Sequence, residues 1–396
     1  MEIDSHGNDG DHPEPMIPYG KQSIDEEDIQ AVVNVLRSDW LTTGPTIEKF
    51  EKAFADFVGA KYAVAVNSGT AALHAAMFAL GIGPGDEVIA PAMTFAATAN
   101  CVAFQGGTPV FADVDPGTLL MDPASVESRL SPKTKAIIAM DYAGQPCDYD
   151  ALEDIAKRHN LMLVADACHS LGGRYKDKPV GTLAKLNAFS FHPVKHITTG
   201  EGGMITTDEP KLMERMRLFR NHGIATDHRQ RDAQGSWFYE MVDLGYNYRI
   251  TDFQCALGIS QLQKLPQWIE RRREIARRYD EAFQAIPRVK PLSVRNETFH
   301  AYHLYVVRFD FDGTNLERSV VFRKLREVGI GVNVHYIPVH LHPFYRNRYR
   351  TGPGLCPNAE LAYEQILSLP MYPAMTDDDV GDVIRAIKKI TQAYRQ

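Results

Sequence analysis

A single lysine within a stretch of histidine, threonine and glycine residues is the side chain of this sequence best placed for covalent chemistry. Lys195 belongs to the segment AFSFHPVKHITTGEGG at residues 188–203 and follows a short apolar run, residues 188–191, that predicts a strand. No acidic residue adjoins it in the sequence, which favours an amine withdrawn from water, with a pKa lowered toward neutrality. Such an amine can form a Schiff base with an aldehyde. Taken alone, the segment fits an ordinary loop lysine better, so the rest of the chain must decide.

A second segment predicts a pocket for an anion. The residues Asn67-Ser68-Gly69-Thr70 precede the helical run AALHAAMFAL. Gly69 would allow backbone amides to approach a ligand closely, and Thr70 would add a hydroxyl at a helix N-terminus, where the helix dipole favours a phosphate. Ser190 is a candidate for a further phosphate donor. The alternative interpretation is that Ser68 or Thr70 simply caps the helix.

An acid, a histidine and an aromatic ring complete the constellation. Asp166 ends the most apolar predicted strand, where it is either structural or paired with a buried cation such as a protonated pyridine nitrogen. His169, three residues later, could hydrogen-bond a ring hydroxyl, and Phe95 could stack on the ring face. A core histidine and a core phenylalanine are the alternatives. Together with Lys195 and the anion pocket, these side chains are the parts of a pyridoxal phosphate site in the right order.

The elements that would position these side chains form a buried, mostly parallel sheet. From Tyr62 onward, short apolar runs alternate with helical patterns such as residues 150–159. Continuous apolar strands separated by helices are typical of a parallel sheet covered on both faces. Ligands bind at the carboxyl ends of such strands, where Asp166 and Lys195 fall. The predicted strands span residues 87–92, 108–115, 136–142, 161–167, 188–191 and 203–208.

Helical patterns flank this sheet, and a smaller α/β unit follows it. Ser23 and Glu26 predict a capping box at the start of the first helix, and Thr376 predicts the cap of the last helix. A long helix is expected over residues 257–278, interrupted near Pro266. The other predicted elements are a helix with Ile47, Phe50, Phe54 and Phe57 on one face, a helix at residues 320–328, and strands at residues 303–309 and 331–336.

The pattern divides the chain into three parts. We expect a disordered acidic tail (residues 1–16), a large cofactor-binding domain (17–260) and a small C-terminal domain (261–396). The tail carries five acidic and no basic residues, so the formal net charge of −7 leaves −2 for the remainder. A body so close to neutral offers no electrostatic basis for binding nucleic acid.

The remaining composition excludes further classes of function. No apolar run approaches the roughly 18 residues that a membrane span needs, and no secretory signal opens the sequence, so we expect no membrane association. The five cysteines are an odd number, widely spaced and without a C-x-x-C pair. Free thiols in a reducing cytoplasm are the simplest interpretation, and a zinc site is not expected.

These motifs resemble one enzyme family. NSGTAAL, Asp166 with His169, FSFHPVKHITTGEGG, RNHG at residues 220–223 and GYNYRITDFQCALG at residues 245–258 are similar to the sugar-nucleotide aminotransferases of the DegT/DnrJ/EryC1/StrS family. The resemblance runs from about Ile17 to the C-terminus. It implies an α/β fold of the aspartate aminotransferase type, type I among pyridoxal phosphate enzymes, and a homodimer with active sites at the subunit interface.

The resemblance also implies a role for each matching residue. Lys195 would be the Schiff-base lysine, both nucleophile and general acid/base, and Asp166 would meet the pyridine nitrogen of pyridoxal 5'-phosphate. His169 would contact the ring hydroxyl, and Phe95 would stack on the ring face. Gly69, Thr70 and Ser190 would hold the phosphate. Asn247 would reach the phosphate or the sugar from the partner subunit. Family members that are dehydratases have histidine in place of the lysine, so the lysine here favours transamination.

Finer similarities suggest a substrate. DYAG, HxxKxITTxEGG, GxNxR and HYIP resemble family members of pseudaminic acid synthesis, which aminate UDP-4-keto-6-deoxy-N-acetyl-β-L-altrosamine at carbon four with L-glutamate as donor. Another UDP- or dTDP-ketosugar, aminated at carbon three or four, is the alternative. The loop at residues 225–240 is longer here, which could alter the sugar end of the site. The resemblance makes seven residues candidate contacts to the sugar nucleotide: Tyr19, Asp39, Trp40, Leu41, Thr42, His335 and Tyr336.

Three other interpretations compete with this one. A desulfurase or an amino-acid acyltransferase on the same fold would keep the lysine and the aspartate, but would lack the SGT loop joined to GYNYR. A non-catalytic regulator on this fold would have a basic surface, which the near-neutral body disfavours. A metal site made of His335, His340 and His342 matches no zinc-ligand spacing.

Overall fold

A seven-stranded sheet forms the centre of the molecule in the computed structural model, which describes residues 16–226, 229, 231, 235–312 and 316–393. Its strand order is β1-β9-β8-β5-β4-β2-β3. Only β9 runs antiparallel to its neighbours, and the other pairs are parallel, as the sequence predicts. The described strands are β1 (Tyr62–Val66), β2 (Glu87–Pro91), β3 (Thr108–Ala112), β4 (Thr134–Met140), β5 (Met162–Asp166), β6 (Arg174–Tyr175), β7 (Lys178–Pro179), β8 (Leu186–Ser190), β9 (Gly203–Thr207), β10 (Val289–Pro291), β11 (Thr298–Phe299), β12 (Tyr305–Phe309) and β13 (Ile366–Leu369).

Helices cover both faces of this sheet, which explains its apolar strands. In β1, Val64 and Val66 pack in one hydrophobic cluster with α3, whereas Ala63 and Ala65 pack in another with α2. Alternate residues of a strand point to opposite faces, so both faces need apolar side chains. The described helices are α1 (Glu26–Leu36), α2 (Pro45–Val58), α3 (Gly69–Leu80), α4 (Ala97–Phe104), α5 (Pro123–Ser128), α6 (Tyr149–Arg158), α7 (Pro210–Arg220), α8 (Asp252–Phe283), α9 (Arg318–Glu327), α10 (Pro343–Tyr349), α11 (Pro357–Gln365) and α12 (Asp377–Ala393).

The start of α1 differs from its prediction. Asp25 caps the helix, and the capping box joins Asp25 to Asp28 instead of Ser23 to Glu26. The buried carboxylate of Asp28 also accepts hydrogen bonds from Gln261 and Lys264 on α8, at 2.6 and 2.9 Å. These contacts with a distant helix favour a start two residues later than the local pattern predicts.

The helix α8 runs unbroken through Pro266, so the predicted interruption is wrong. Proline removes one backbone hydrogen bond from a helix. Here Leu262, Leu265 and Ile269 pack in the same buried cluster on either side of it. Apolar packing on both sides therefore keeps one continuous helix.

A three-stranded antiparallel sheet, in the order β10-β12-β13, forms the centre of the smaller C-terminal unit. Thr376 caps α12 through a reciprocal pair of hydrogen bonds with Asp379, which confirms its predicted role. The predicted strand at residues 331–336 is wrong, because only one bridge, between Asn333 and Ser368, joins it to a sheet. The division at residue 260 stays a proposal and falls within α8.

Some predictions concern residues outside this description. The acidic tail lies outside it except for Met16, and the loop at residues 225–240 is described only in part. Among the residues that are described, no helix is long and apolar enough to cross a membrane.

Candidate active site

The residues of the predicted anion pocket lie where α3 meets the end of β8. Ser68 caps α3, and its hydroxyl accepts a hydrogen bond of 3.0 Å from the Ala71 amide, which confirms the alternative interpretation of this segment as a helix cap. Gly69 lies so close to Ser190 that a Cβ atom at position 69 would be 2.7 Å from Ser190 Cβ. Gly69, Thr70 and Ser190 therefore meet at the N-terminus of a helix, where backbone amides and the helix dipole favour an anion.

Asn247 lies beside this pocket. Its carbonyl oxygen accepts a hydrogen bond of 3.5 Å from Asn67 Nδ2, and the Asn67 amide donates to the Tyr248 carbonyl at 2.9 Å. The residue itself is exposed. It is thus available both to the pocket of its own chain and to a second molecule.

Asp166 is the last residue of β5 and is only 3% exposed. Its Oδ2 accepts a hydrogen bond of 2.6 Å from the Thr98 hydroxyl, and its Oδ1 accepts one of 3.2 Å from the Cys168 amide. Thr94 Oγ1 lies 2.6 Å from Thr98 Oγ1 and extends the chain of hydroxyls. The carboxylate is therefore held at the carboxyl end of a central strand, the edge at which ligands of such sheets bind.

Lys195 lies in the turn that follows β8, the strand next to β5 in the sheet, and is partly exposed. Its Nζ lies 3.3 Å from His303 Nε2. Burial of the amine lowers the pKa of Lys195, although the nearby negative charges that Cys168 and Asp166 can carry act in the opposite direction. The direction agrees with the sequence-based expectation of a desolvated amine.

His169 packs among aromatic rings next to Lys195. Its Nε2 lies 3.0 Å from the Tyr336 hydroxyl, and its buried Nδ1 has no hydrogen-bond partner among the described residues. Burial and then the positive charge of Lys195 hold the pKa of His169 well below its usual value, so the ring is neutral. Phe95, 55% exposed, has its ring 5.8 Å from that of Tyr336. Tyr336 therefore joins the half-exposed ring of Phe95 to His169, whose Nδ1 is left without a partner among the described residues.

Three of the predicted sugar contacts form a continuous wall beside His169. The rings of Tyr19 and His335 lie 5.3 Å apart, and His335 adjoins Tyr336 through a cis peptide bond. His335 Nδ1 lies 2.8 Å from the Ser368 hydroxyl, and burial lowers its pKa to about 3. The structure therefore brings Tyr19, His335 and Tyr336 to the lysine and histidine of the site.

The four other predicted sugar contacts lie on the loop between α1 and α2. Leu41 accepts a hydrogen bond of 2.9 Å from the Asp252 amide, and Thr42 forms a bridge with Thr251. Thr42 also lines a cavity of about 1140 Å³, whose lining does not include Lys195. Of these four residues, Thr42 alone lines this cavity, whose other lining residues include Arg217, Arg220 and Arg249.

Two residues of the site were missed by the sequence-based prediction. Thr98 lies three residues after Phe95, the candidate for stacking on the ring, in the segment PAMTFAATAN. This proximity in the sequence could have identified Thr98 as a candidate site residue. His303 contacts Lys195 from 108 residues away, and no local pattern points to it. Two of the three histidines in the competing metal-site interpretation have other partners, since His335 contacts Ser368 and His340 contacts Glu360, and the described residues contain no cluster suited to a metal ion.

The donor set fits pyridoxal 5'-phosphate. A desolvated amine suits its aldehyde, a buried carboxylate suits a protonated ring nitrogen, and amides at a helix N-terminus suit its phosphate. The unpartnered Nδ1 of His169 is a buried polar atom that a ligand can satisfy, since such atoms are rarely left without a hydrogen bond.

Comparison with known proteins points in the same direction. Residues 22–388 match the family model of the DegT/DnrJ/EryC1/StrS aminotransferase family. The spore coat polysaccharide biosynthesis protein SpsC of Bacillus subtilis is 45% identical over 378 residues, which are 95% of this chain and 97% of SpsC.

Two solved structures extend the comparison. The PMP form of Spr1654 from Streptococcus pneumoniae, named as a sugar aminotransferase, superposes with a TM-score of 0.90 at 34% identity, covering 95% of this chain and 99% of Spr1654; a PLP form of it is also known. Helicobacter pylori PseC, an aminotransferase involved in the biosynthesis of pseudoaminic acid, has a TM-score of 0.88 at 32% identity, with 96% of this chain and all of PseC covered.

Proposed function

Since the chain belongs to the DegT/DnrJ/EryC1/StrS aminotransferase family, we propose that it transfers an amino group from L-glutamate to a nucleotide-linked 4-keto-6-deoxy sugar. It is a sugar aminotransferase with the type I pyridoxal phosphate fold, and pyridoxal 5'-phosphate is its cofactor. The observation that carries the proposal is the desolvated amine of Lys195, which lies in the turn after β8, the strand next to the one that ends in Asp166.

Each residue of the site has a proposed task. When bound, the cofactor supplies an aldehyde that binds an amine and a ring that accepts electrons from the carbon next to that amine. Lys195 would hold the cofactor through its amine, and the same amine, when free, would carry the proton as a general acid and base. Asp166 keeps a proton on the ring nitrogen. His169 hydrogen-bonds the ring hydroxyl, and Phe95 covers the ring face.

The phosphate of the cofactor is proposed to bind at the N-terminus of α3. Gly69, Thr70 and Ser190 would hold it, with Asn247 reaching it or the sugar from the partner subunit. The close approach of Gly69 to Ser190 supports this assignment, because any larger residue at position 69 would displace the hydroxyl.

For the substrate, we propose UDP-4-keto-6-deoxy-N-acetyl-β-L-altrosamine, the compound of pseudaminic acid synthesis. The HYIP motif and the similarity to PseC support it, as does the wall of Tyr19, His335 and Tyr336 beside His169. Asp39, Trp40, Leu41 and Thr42 remain proposed contacts. The 45% identity to SpsC favours the alternative, another UDP- or dTDP-ketosugar.

A panel of ketosugars distinguishes the two substrates. Purified enzyme is incubated with L-glutamate and each of several UDP- and dTDP-linked 3-keto and 4-keto sugars, and the product is identified by mass. We expect a gain of an amino group on the UDP-linked altrosamine derivative, together with one equivalent of 2-oxoglutarate. Amination of a dTDP-linked sugar alone would favour the alternative. No amination in the presence of bound cofactor would contradict the proposed function.

We propose that the enzyme acts as a homodimer with shared sites. The segment at residues 237–244 exposes a run of large apolar side chains, among them Trp237 at 86% and Leu244 at 68%, close in sequence to Asn247. An apolar patch of this kind is typical of a protein interface, and a second copy of the chain is the proposed occupant.

The five free cysteines, four of them buried, support the proposed cytoplasmic location.

A further inference from the structure

We propose that His303 is a positioning residue for Lys195: its Nε2 accepts one N–H of the lysine amine and so orients that amine for reaction with the cofactor aldehyde. The inference rests on the proposed function, since it concerns the orientation of the same lysine. It adds a residue that neither the motifs nor the family resemblance identified.

The contact joins a buried histidine to a partly exposed lysine from a separate part of the chain. His303 is 4% exposed and lies just before β12, whereas Lys195 follows β8. The 3.3 Å separation between Lys195 Nζ and His303 Nε2 is the hydrogen bond found for this amine. The proton of the neutral ring is assigned to Nδ1, which is buried without a hydrogen-bond partner among the described residues. Nε2 is then an acceptor for one of the N–H groups that an amine always has to donate.

The surroundings of His303 keep its ring neutral. Arg272 of α8 is fully buried and donates from Nη1 to the carbonyl oxygens of Tyr302 and His303, at 3.2 and 3.3 Å. Burial first, and then the positive charge of Lys195, hold the pKa of His303 well below its usual value. The other groups that act on it in the same direction are His169, with its ring centroid at 4.3 Å, His196, with its centroid at 5.7 Å, and Arg272.

A neutral ring in this place can orient Lys195 but is a poor base toward it. The pKa of His303 is too low for a proton to rest on it near neutral pH, so the proton of Lys195 is not transferred there. An acceptor does, however, favour the charged form of the amine, opposing the effect of burial. The charged or titratable groups that face Lys195 are Asp166, Cys168, His169, His196, His303 and His335.

The test measures capture of the cofactor by the cofactor-free, full-length protein. The rate at which added pyridoxal 5'-phosphate becomes covalently bound is followed by absorbance from pH 6 to pH 10. The midpoint of this profile reports the pKa of the reacting amine, and its plateau reports how well the amine is oriented. Borohydride reduction followed by peptide mapping identifies the lysine that is labelled.

The His303→Phe variant keeps a ring but removes the acceptor. We expect its capture midpoint to fall by about one pH unit, because the charged amine loses a hydrogen bond. We expect its plateau rate to fall about tenfold, because the amine is no longer oriented. The His303→Gln variant retains an acceptor at the tip of its side chain, so its midpoint should stay near that of the wild type.

A matched control comes from the same segment. His300 is also buried, and its Nδ1 accepts a hydrogen bond of 2.9 Å from the Tyr302 amide, away from Lys195. His300→Phe should lower thermal stability without moving the capture midpoint. If His303→Phe does not fold, His303→Leu and His303→Gln are compared in the same way.

The outcomes separate this inference from the proposed function. Labelling of a lysine other than Lys195 in the wild type overturns the proposed function, and the role of His303 with it. Labelling of Lys195 with a wild-type midpoint and plateau in His303→Phe overturns the role of His303 alone. An equal shift in His300→Phe, or in His303→Gln, overturns it as well, because packing and not an acceptor would then explain the change.

Discussion

The hydroxyl of Thr98 donates a hydrogen bond of 2.6 Å to Oδ2 of Asp166, from a helix to the end of a central strand 68 residues later. Both residues are buried, and the Cys168 amide supplies the donor to the other carboxylate oxygen. A buried carboxylate needs such donors, because an unsatisfied lone pair costs free energy and leaves the side chain free to rotate. The orientation of Asp166 therefore depends on α4 as well as on its own strand.

Replacing Thr98 by valine should weaken the site through Asp166. We expect a fall of about tenfold in kcat and a loss of about 1–3 kcal/mol in the free energy of unfolding, since a buried acceptor loses its donor. Steady-state kinetics and chemical unfolding measure the two effects. Thr98→Ser keeps the hydroxyl and should restore most of the activity; a serine variant as impaired as the valine one would contradict the role of the hydrogen bond.

Asp166→Asn should retain the cofactor but lose most of the rate. The amide has nearly the shape of the carboxylate but no negative charge, so it cannot stabilise a protonated ring nitrogen. We expect kcat to fall by about 10²–10³-fold, in the range found when a charge-stabilising group is removed. Absorbance of the desalted protein checks that cofactor is still present. Near-normal turnover would remove the proposed role of Asp166.

Lys195→Ala should abolish both the covalent link to the cofactor and turnover. The amine is the proposed nucleophile and proton carrier, and no described neighbour can replace both tasks. Because Lys195 is partly exposed and forms no ion pair in the described structure, we expect the thermal unfolding temperature to change little. Transamination by a folded Lys195→Ala variant, measured as 2-oxoglutarate release, would show that another residue carries the reaction.

Mixing two inactive variants tests whether Asn247 acts across the subunit interface. Lys195→Ala and Asn247→Ala proteins are unfolded together, refolded and assayed. If each site combines Lys195 of one chain with Asn247 of the other, mixed dimers contain one intact site, and about a quarter of the wild-type activity should return, since half of the dimers are mixed. Refolding each variant alone is the control. Absence of any recovery in verified mixed dimers would indicate sites completed within one chain.

The buried histidine His335 should make stability sensitive to acid. Burial lowers its pKa from 6.5 to about 3, so the unfolded chain binds a proton that the folded chain does not. Stability is therefore retained above pH 6.5 and lost as the pH falls from there toward 3. At pH 5 the loss attributable to this residue is about 2 kcal/mol. His335→Gln should reduce the difference in unfolding free energy between pH 7 and pH 5 by that amount; an unchanged difference would contradict the assignment.

Much of the architecture could be predicted because its signals are local. A few neighbouring residues are enough to predict the strands β2, β4, β5 and β8, because a strand buried on both faces requires a continuous run of apolar side chains. The cap of α12 at Thr376 was also evident from a short segment. So were the candidate site residues Asp166, His169 and Lys195, which lie in two short segments.

Two of the errors share a physical cause. The start of α1 depends on Gln261 and Lys264, more than 230 residues away, and the continuity of α8 through Pro266 depends on packing against other elements. Residues 331–336 have strand-like composition, but a single bridge, from Asn333 to Ser368, joins them to the edge strand β13. In the first two cases a tertiary contact outweighed a local preference of about 1–3 kcal/mol.

By itself, the sequence determined which reactive groups are present and which strand ends carry them, because those properties belong to single residues and their immediate neighbours. Only the tertiary structure decided how the groups are held. His303 reaches Lys195 across 108 residues, Tyr336 reaches His169 across 167, and Thr98 reaches Asp166 across 68. Such contacts form when helices and strands pack together, and the spacing of residues along the chain does not record which distant elements will become neighbours.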